Sequence, residues 1–232
     1  MSQNYEFIDK EKKYWGAIFK YDKNFNNDVK KILTLEELKY WHSLPHLESK
    51  NKYSQTRYEL KKVIADILYN PGHKISLSQI LFSTIKEGKP VLSNKSHDVD
   101  LDFNLSHSDD FFVAVFSKQG QVGVDIQKIK PIKNINKIAE RIFSKDEVLY
   151  LKKIEDNNKQ QEVFARLWSA REAIVKTIGG SIIKDGPKIK IDPQSFQINK
   201  CSVDETMEKQ WRLDFLSSPP GYVCAVSFLS NK

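Results

Sequence analysis

A short segment near the middle of the chain constrains the fold more than any other. Apolar residues occupy every second position of residues 122–127, and the positions between them hold Gly123, Asp125 and Gln127. Because strand side chains alternate between two faces, one face is apolar and the other offers a bare backbone, a carboxylate and an amide. Asp125 alone is better explained as a polar residue at a strand end. Gly123 shifts the balance toward a site, because a glycine lets a ligand approach the backbone.

A helical segment, residues 168–176, carries a second acidic group. At 3.6 residues per turn its apolar side chains form one arc, with Glu172 on the edge of that arc and Lys176 beside it. One interpretation is a surface ion pair worth a few tenths of a kcal/mol. The other is a site in which Glu172 and Asp125 together hold a hard divalent cation. The residues alone leave both interpretations open.

The same helical geometry places Arg171 near the middle of the apolar arc. A charge at that position is costly unless it is paired. We therefore expect Arg171 to meet a carboxylate or a phosphate, with an extended side chain that reaches solvent as the alternative.

Charge and composition narrow the class of protein. The 232 residues can form one large domain or two small ones, with a net charge of +7 from 37 basic and 30 acidic residues. The lysines are dispersed, which is typical of a solvated surface and otherwise of an anionic partner such as a phosphorylated ligand or an acidic protein. A nucleic-acid-binding module would show clustered arginines with interleaved aromatic residues, and this chain has neither.

Cysteine usage and hydropathy indicate the compartment. Cys201 and Cys224 lack metal-ligand spacing, which fits a reducing environment. The N-terminus lacks the apolar core of a signal peptide, and no apolar run reaches membrane length. We expect a soluble, cytoplasmic protein with no membrane partner.

Hydrophobic periodicity predicts an α+β fold. Helices are expected at residues 33–44, 56–69, 145–154 and 162–178, with a further helix after residue 131 that ends near 142. Strands are expected at residues 14–19, 80–83, 111–116, 122–127, 189–191, 196–198, 211–215 and 222–228. A turn at residues 118–120 predicts that 111–116 and 122–127 form a hairpin. Pairing of this kind would bring His107 near Asp125 and Gln127.

The segment before that hairpin contains adjacent Ser106 and His107, a pair that can bind phosphate. A Ser-His-acid hydrolase is the competing interpretation. It lacks support because adjacent strand residues point to opposite faces and no nucleophile elbow is present. Walker-type phosphate loops and dinucleotide fingerprints are also missing.

Taken together, these segments resemble the Sfp-type 4′-phosphopantetheinyl transferases, from about residue 57 to 196. Each motif is weak alone, but five in order are specific. The matching motifs are Gly88-Lys89-Pro90, Asn104-Leu105-Ser106-His107-Ser108, Gly123-Val124-Asp125-Ile126 followed by Lys128 and Pro131, Phe143-Ser144-Lys145-Asp146-Glu147, and Trp168-Ser169-Ala170-Arg171-Glu172-Ala173 with Lys176.

The resemblance implies two similar α/β halves related by a pseudo-two-fold axis, with an active-site cleft between them. Residues 1–118 would form the coenzyme A side and residues 119–232 the metal and carrier-protein side, within a monomer. The implied reaction is Mg²⁺-dependent transfer of the 4′-phosphopantetheine arm of coenzyme A to a serine of an acyl or peptidyl carrier protein. Adenosine 3′,5′-bisphosphate would be released. Such carriers serve fatty-acid, polyketide and nonribosomal peptide biosynthesis.

By matching position, the resemblance also implies the site residues. Asp125 and Glu172 would hold Mg²⁺, and Lys176 would contact phosphate and assist proton transfer. We take Glu172, directly or through a water molecule, as the base for the attacking serine. The coenzyme A contacts would be Arg57, Lys89, Ser106, His107 and Lys176.

Two positions depart from the family pattern. Gln127 stands where many relatives carry a glutamate ligand, so we expect it to bind the metal weakly or through water, and Mg²⁺ binding to be looser. Arg171 replaces the usual lysine, which keeps the charge and changes its geometry. These departures keep an alternative open: a non-catalytic relative that binds coenzyme A or a carrier without transferring anything.

Relatives dock the carrier along the segment after the metal strand, here residues 128–143. Ile132, Ile135 and Ile142 lie among lysines there and are candidates for that surface. An ordinary amphipathic helix explains the pattern equally well.

Overall fold

The computed structural model describes residues 5–69, 75–84, 88–93, 99–203 and 210–230. Within these parts the chain is a mixed α/β structure, as predicted. The strands are β1 Tyr5–Ile8, β2 Trp15–Lys20, β3 Phe82–Thr84, β4 Pro90–Leu92, β5 Asp102–Ser108, β6 Phe111–Ser117, β7 Gly120–Lys128, β8 Ile189–Ile191, β9 Ile198–Cys201, β10 Trp211–Leu216 and β11 Tyr222–Ser230. The helices are α1 Val29–Ile32, α2 Leu35–Ser43, α3 Leu47–Ile67, α4 Ile135–Ile142, α5 Lys145–Lys152, α6 Asn157–Thr177 and α7 Ile182–Asp185.

Two main sheets organise the described residues. One has the strand order β1-β2-β6-β5 and the other the order β10-β11-β7, with every pair antiparallel. Their facing sides form a shared apolar core of residues such as Ile18, Val113, Val124 and Val226. Helix α3 covers the outer face of the first sheet, and α4, α5 and α6 pack against the second. Burial of alternate strand residues between layers is the main stabilising term.

The hairpin predicted from residues 111–127 does not form. β6 pairs with β2 and β5, whereas β7 pairs with β11, so the two consecutive strands belong to different sheets. The physical reason is that both strands are buried on both faces along most of their length, so each is covered from two sides and pairs within its own sheet. The strand that carries His107, β5, nevertheless lies beside β7.

Polar side chains join β5 to β7 where the two sheets meet. Backbone N–H groups of β7 donate to Asp102 Oδ2 at 2.7 Å, to Asn104 Oδ1 at 3.3 Å and to Ser108 Oγ at 3.0 Å. Alternate residues of β5 thus satisfy the free edge of β7, which would otherwise carry unpaired donors. This seam fixes the two strands side by side.

Most predicted helices are present with adjusted ends. α3 begins at Leu47, about two turns earlier than its apolar stripe indicates, and α6 runs from Asn157 to Thr177 with Asp156 as its N-cap. None of the helices in the described part of the chain is long and apolar enough to cross a membrane.

Candidate functional site

Asp125 lies at the centre of a small polar cluster formed by β5, β7 and α6. Its residue is 5% exposed, and its Oδ1 accepts hydrogen bonds from Ser106 Oγ at 2.8 Å and from Lys176 Nζ at 2.7 Å. Lys176 also donates to Ser106 Oγ at 3.0 Å. The other oxygen, Oδ2, is buried and accepts no hydrogen bond from any described residue. A buried anionic oxygen without a partner is costly and therefore marks a place for a cation.

Glu172 lies one helical turn before Lys176 on α6 and is half-buried. Burial raises the pKa of its carboxyl group, the charge of Lys176 lowers it, and the charge of Asp125 raises it. Its carboxylate forms no hydrogen bond or ion pair with the described residues. The helix and the strand thus bring Asp125 and Glu172 close enough to influence each other's charge.

The backbone of α6 packs directly on β7. Ser169 Oγ donates to the carbonyl oxygen of Asp125 at 3.0 Å, and a Cβ on Gly123 would lie 2.1 Å from the carbonyl oxygen of Ala173. We expected Gly123 to admit a ligand, and that interpretation is wrong because the helix occupies the space. The glycine serves the site indirectly, by letting the helix that carries Glu172 approach the strand that carries Asp125.

These residues fit a hard divalent cation. Asp125 Oδ2 and the Glu172 carboxylate are oxygen donors of the kind that Mg²⁺ prefers, and Mg²⁺ often takes one or two carboxylates and completes its sphere with water and phosphate. Among the described residues no group of three or more His, Cys, Asp or Glu side chains forms a metal cluster. Two protein carboxylates with a phosphate ligand therefore suit this position better than an all-protein cage.

Gln127 follows Asp125 on the same face of β7 but lines a separate surface cavity of about 220 Å³. The cavity wall includes Trp168, Phe164, Ile132 and Ile138. No described residue forms a hydrogen bond with the Gln127 amide. Its role as a metal ligand stays a prediction.

Ser106 and His107 point to opposite faces of β5, as adjacent strand residues must. Ser106 faces Asp125, whereas His107 lines a cavity of about 380 Å³ on the α3 side, together with Arg57 and Lys52. Partial burial, and then the charges of Lys176 and Lys52, lower the pKa of His107. This arrangement rules out a Ser106–His107 nucleophile and base pair.

Arg57 sits in the wall of that same cavity. Its Nε lies 3.1 Å from Glu37 Oε1, and its guanidinium lies over the rings of Tyr53 and Phe82. Glu37 Oε2 also pairs with the buried Lys61 ammonium at 2.5 Å. One carboxylate thus holds two cations, which leaves a net positive charge beside the cavity.

Lys89 belongs neither to the polar cluster around Asp125 nor to the cavity lined by His107 and Arg57. Its ammonium is buried and donates to Asp102 Oδ2 at 2.7 Å, to the carbonyl oxygen of Thr177 at 3.1 Å and to that of Val122 at 3.2 Å. An ammonium has three donors, so all of them are used. The arrangement ties β5, β7 and the end of α6 together, and a coenzyme A contact of Lys89 stays a prediction.

Arg171 is fully buried and paired, as the helical arc predicted. Its guanidinium donates to Glu147 Oε2, to the carbonyl oxygen of Ile189 at 3.0 Å and to that of Leu167 at 3.2 Å. Glu147 also accepts from the backbone N–H of Ile191 at 2.7 Å. The partner of Arg171 is therefore a carboxylate of α5, and these contacts fix α6 against α5 and β8.

Sequence reasoning missed Glu147 and Ser169 as supports of the site. Glu147 follows Ser144 by three residues, which is the spacing of a capping box. This spacing is a local sequence signal that indicates its role at the start of α5. Its second role, in binding Arg171, has no local signal. Ser169 lies three residues before Glu172 on α6, so the helical period alone places the two side chains next to each other on the helix surface.

Two of the three isoleucines expected on the carrier surface, Ile135 and Ile142, are not exposed. Both are buried in the core beneath α4, with exposures of 8% and 3%, so the amphipathic-helix interpretation of these two residues is right. Ile132 and Ile138 remain partly exposed at the 220 Å³ cavity.

Parts of the chain are similar to known proteins. Residues 121–227 match the 4′-phosphopantetheinyl transferase superfamily. The chain is 28% identical over 158 residues to the 4′-phosphopantetheinyl transferase HetI of Nostoc sp., covering 68% of this chain and 64% of HetI. It is 34% identical over 129 residues to the 4′-phosphopantetheinyl transferase Sfp of Bacillus subtilis, covering 56% and 54%.

A third relative, the 4′-phosphopantetheinyl transferase AcpT of Escherichia coli, is 37% identical over 111 residues, which cover 47% of this chain and 54% of AcpT. The chain thus spans between about half and two thirds of the length of the curated relatives it matches. The matched region contains α6 and most of β7 and β11, and with them Asp125, Glu172 and Lys176. Over residues 121–227 the chain is therefore similar to the 4′-phosphopantetheinyl transferase superfamily, and it is similar as well to Sfp of Bacillus subtilis.

Proposed function

We propose that this protein transfers the 4′-phosphopantetheine arm of coenzyme A to a serine of an acyl or peptidyl carrier protein, with Mg²⁺ bound by Asp125 and Glu172. The observation that carries the proposal is the unpaired, buried Oδ2 of Asp125 beside a half-buried Glu172. The three relatives described above carry this activity in their names, which supports the same chemistry here.

The chemistry needs a base and a means of offsetting negative charge. The carrier serine oxygen attacks the β-phosphorus of coenzyme A, and the bond from that phosphorus to the bridging oxygen breaks. Adenosine 3′,5′-bisphosphate leaves with the electron pair, and Glu172 accepts the serine proton. Burial of Glu172 raises its pKa and so strengthens it as a base. When bound, Mg²⁺ offsets the charge of the diphosphate.

Coenzyme A contacts fall on both faces of β5. Ser106 and Lys176 lie beside Asp125, where a diphosphate would meet the cation. His107 and Arg57 line the cavity on the other face, which is also walled by the rings of Tyr21, Tyr40 and Tyr53. Aromatic rings and cations suit an adenine and a phosphate. We place Lys89 behind this site as a support, since its three donors are occupied.

A cleft between two similar halves, with a boundary near residue 118, fits the arrangement of the sheets. The strands of the four-stranded sheet precede this boundary, and those of the three-stranded sheet follow it. The seam between β5 and β7 would then form the floor of the cleft. A site assembled from both halves of one chain needs no second copy, so we expect a monomer.

The carrier protein would approach over the cavity of Gln127 and Trp168. Ile132 and Ile138 supply apolar surface there, and Lys128 and Lys130 supply positive charge. Carrier proteins are acidic, so this combination of charge and apolar contact is complementary to them.

The direct test is mass spectrometry of apo-carrier proteins from fatty-acid, polyketide and peptide-synthetase systems, incubated with coenzyme A and Mg²⁺. We expect a mass increase equal to one phosphopantetheine group. Glu172→Gln should bind coenzyme A and lose turnover by about a hundredfold or more, as expected for a general base.

An exposed-site variant, Glu140→Gln, provides the matched control because it makes the same change in the surface pair of Glu140 with Lys152. Full turnover by Glu172→Gln would remove the proposed base. A wild-type protein that binds coenzyme A and leaves every carrier unmodified would instead be the non-catalytic relative.

A further inference from the structure

The side chains of Asp125, Ser106 and Lys176 form a closed set of hydrogen bonds. Lys176 Nζ donates to Asp125 Oδ1 at 2.7 Å and to Ser106 Oγ at 3.0 Å, and Ser106 Oγ donates to the same Oδ1 at 2.8 Å. One oxygen of the carboxylate is therefore engaged by an ammonium, and the other, Oδ2, is buried without a hydrogen bond from the described residues.

The members of this set differ in freedom to move. Asp125 lies within β7 with its side chain 7% exposed, and Ser106 lies within β5 with its residue 6% exposed. Lys176 extends from the last turn of α6 with its side chain 29% exposed, and within the described part of the chain its ammonium donates only to these two residues. Its four-carbon stem gives the ammonium several accessible rotamers.

Lys89 shows the contrast within the same molecule. Its side chain is 4% exposed, and its three donors reach acceptors on three different segments. Moving that ammonium would leave buried acceptors unsatisfied, at a cost that an exposed lysine does not face. Of the two lysines at the seam, Lys176 is therefore the one that can be displaced.

We propose that Lys176 is a displaceable counter-ion, which neutralises Asp125 until a divalent cation and the diphosphate of coenzyme A bind together, and then moves to the diphosphate. Ser106 is the positioning residue that holds the ammonium on Oδ1. This inference rests on the proposed function, because it takes the cation and the diphosphate as the ligands of the site.

The arrangement has a thermodynamic consequence. A cation that binds alone must share Asp125 with an ammonium, which is unfavourable because like charges in a partly buried site repel. A diphosphate gives that ammonium a new partner and so favours binding of the cation. Cation and coenzyme A should therefore strengthen each other's binding by the same factor, beyond the direct contact between them.

The test is a titration with Mn²⁺, followed by the electron paramagnetic resonance signal of the free ion, without and with coenzyme A and without any carrier. Without coenzyme A, Lys176→Met should bind Mn²⁺ roughly three- to tenfold more tightly than the wild type, the range expected when a partly exposed ion pair is removed. With coenzyme A, the wild type should gain more affinity for Mn²⁺ than Lys176→Met gains.

Lys128→Met is the matched control. It removes the same charge from a lysine three residues after Asp125 that pairs with Asp109 at the surface. Its Mn²⁺ affinity should stay within about twofold of the wild type, because exposed charges are screened by solvent and salt. Lys176→Gln provides a second variant if Lys176→Met does not fold, since it removes the charge and keeps a polar side chain.

Equal Mn²⁺ affinities for Lys176→Met and Lys128→Met, or equal gains from coenzyme A in Lys176→Met and the wild type, would overturn the inference. Failure of the proposed function has a different signature. In that case no carrier gains mass in the presence of wild-type protein, whatever the Mn²⁺ titrations show.

Discussion

Gly123 on β7 and Ala173 on α6 are in such close contact that no larger residue fits at position 123. A Cβ there would lie 2.1 Å from the carbonyl oxygen of Ala173 and 2.5 Å from the backbone nitrogen of Thr177. Because both obstacles are backbone atoms, no side-chain rotation relieves the clash. This contact sets the distance between the strand of Asp125 and the helix of Glu172.

Gly123→Ala should therefore destabilise the protein by about 3 kcal/mol or more, at the upper end for overpacking, and should weaken cation binding because α6 must move away from β7. Urea unfolding and a Mn²⁺ titration measure the two effects. Gly221→Ala is the control: its Cβ would meet nothing within 4 Å, and its φ of 79° should cost only about 1 kcal/mol. Equal losses of stability in the two variants would contradict the packing argument.

The buried pair of Glu147 and Arg171 should be the most sensitive ion pair in the protein. Glu147→Gln removes the charge that compensates a fully buried guanidinium, which typically costs about 3–5 kcal/mol. The change should appear as a lower urea midpoint. Glu140→Gln breaks an exposed pair with Lys152 and should cost less than about 1 kcal/mol.

Replacing both partners, with Glu147→Leu and Arg171→Met together, should recover part of the loss, because neither charge is then left unpaired. A double variant as unstable as the sum of the two single variants would show that the pair contributes little beyond its separate contacts.

Gln127→Glu should tighten the Mg²⁺ dependence of carrier modification if the side chain of residue 127 faces the cation, because a carboxylate is a stronger ligand than an amide. A Mg²⁺ titration of the reaction measures this. Gln161→Glu adds the same charge to the wall of the same cavity and serves as the control. Identical Mg²⁺ titrations for Gln127→Glu and the wild type would place residue 127 outside the cation site.

Tyr14 should make the protein less stable at alkaline pH. Burial, and then the hydrogen bond from its hydroxyl to Asp214 Oδ2 at 2.7 Å, raise the pKa of Tyr14. The folded protein therefore retains a proton that the unfolded chain loses near pH 10, so this stabilisation is complete below about pH 10 and is lost as the pH rises further.

Tyr14→Phe should cost about 1 kcal/mol at pH 7 through the lost hydrogen bond, and the difference from the wild type should shrink above pH 10. Unfolding in urea at several pH values from 7 to 11 measures the trend. The exposed Tyr69→Phe should leave the pH dependence unchanged. A constant difference between Tyr14→Phe and the wild type across this range would contradict the assignment.

Local patterns predicted much of what matters here. The two-residue period of β7 placed Asp125 on a polar face, and the 3.6-residue period of α6 placed Arg171 where it needed a partner and Glu172 at the edge of the apolar arc. These features depend on one element at a time, which is why they can be seen in the sequence. Motif order then indicated the family.

The identity of neighbours across elements was decided only by tertiary structure. Periodicity shows which side of a strand or helix is buried and is silent about what covers it. The partner of Arg171 comes from α5, the acceptors of Lys89 come from three segments, and α6 rather than a ligand fills the space above Gly123. The separation of β6 and β7 into different sheets likewise follows from competition among several strands for the same edges. Such contacts join residues far apart in the chain, and packing of the whole core selects them.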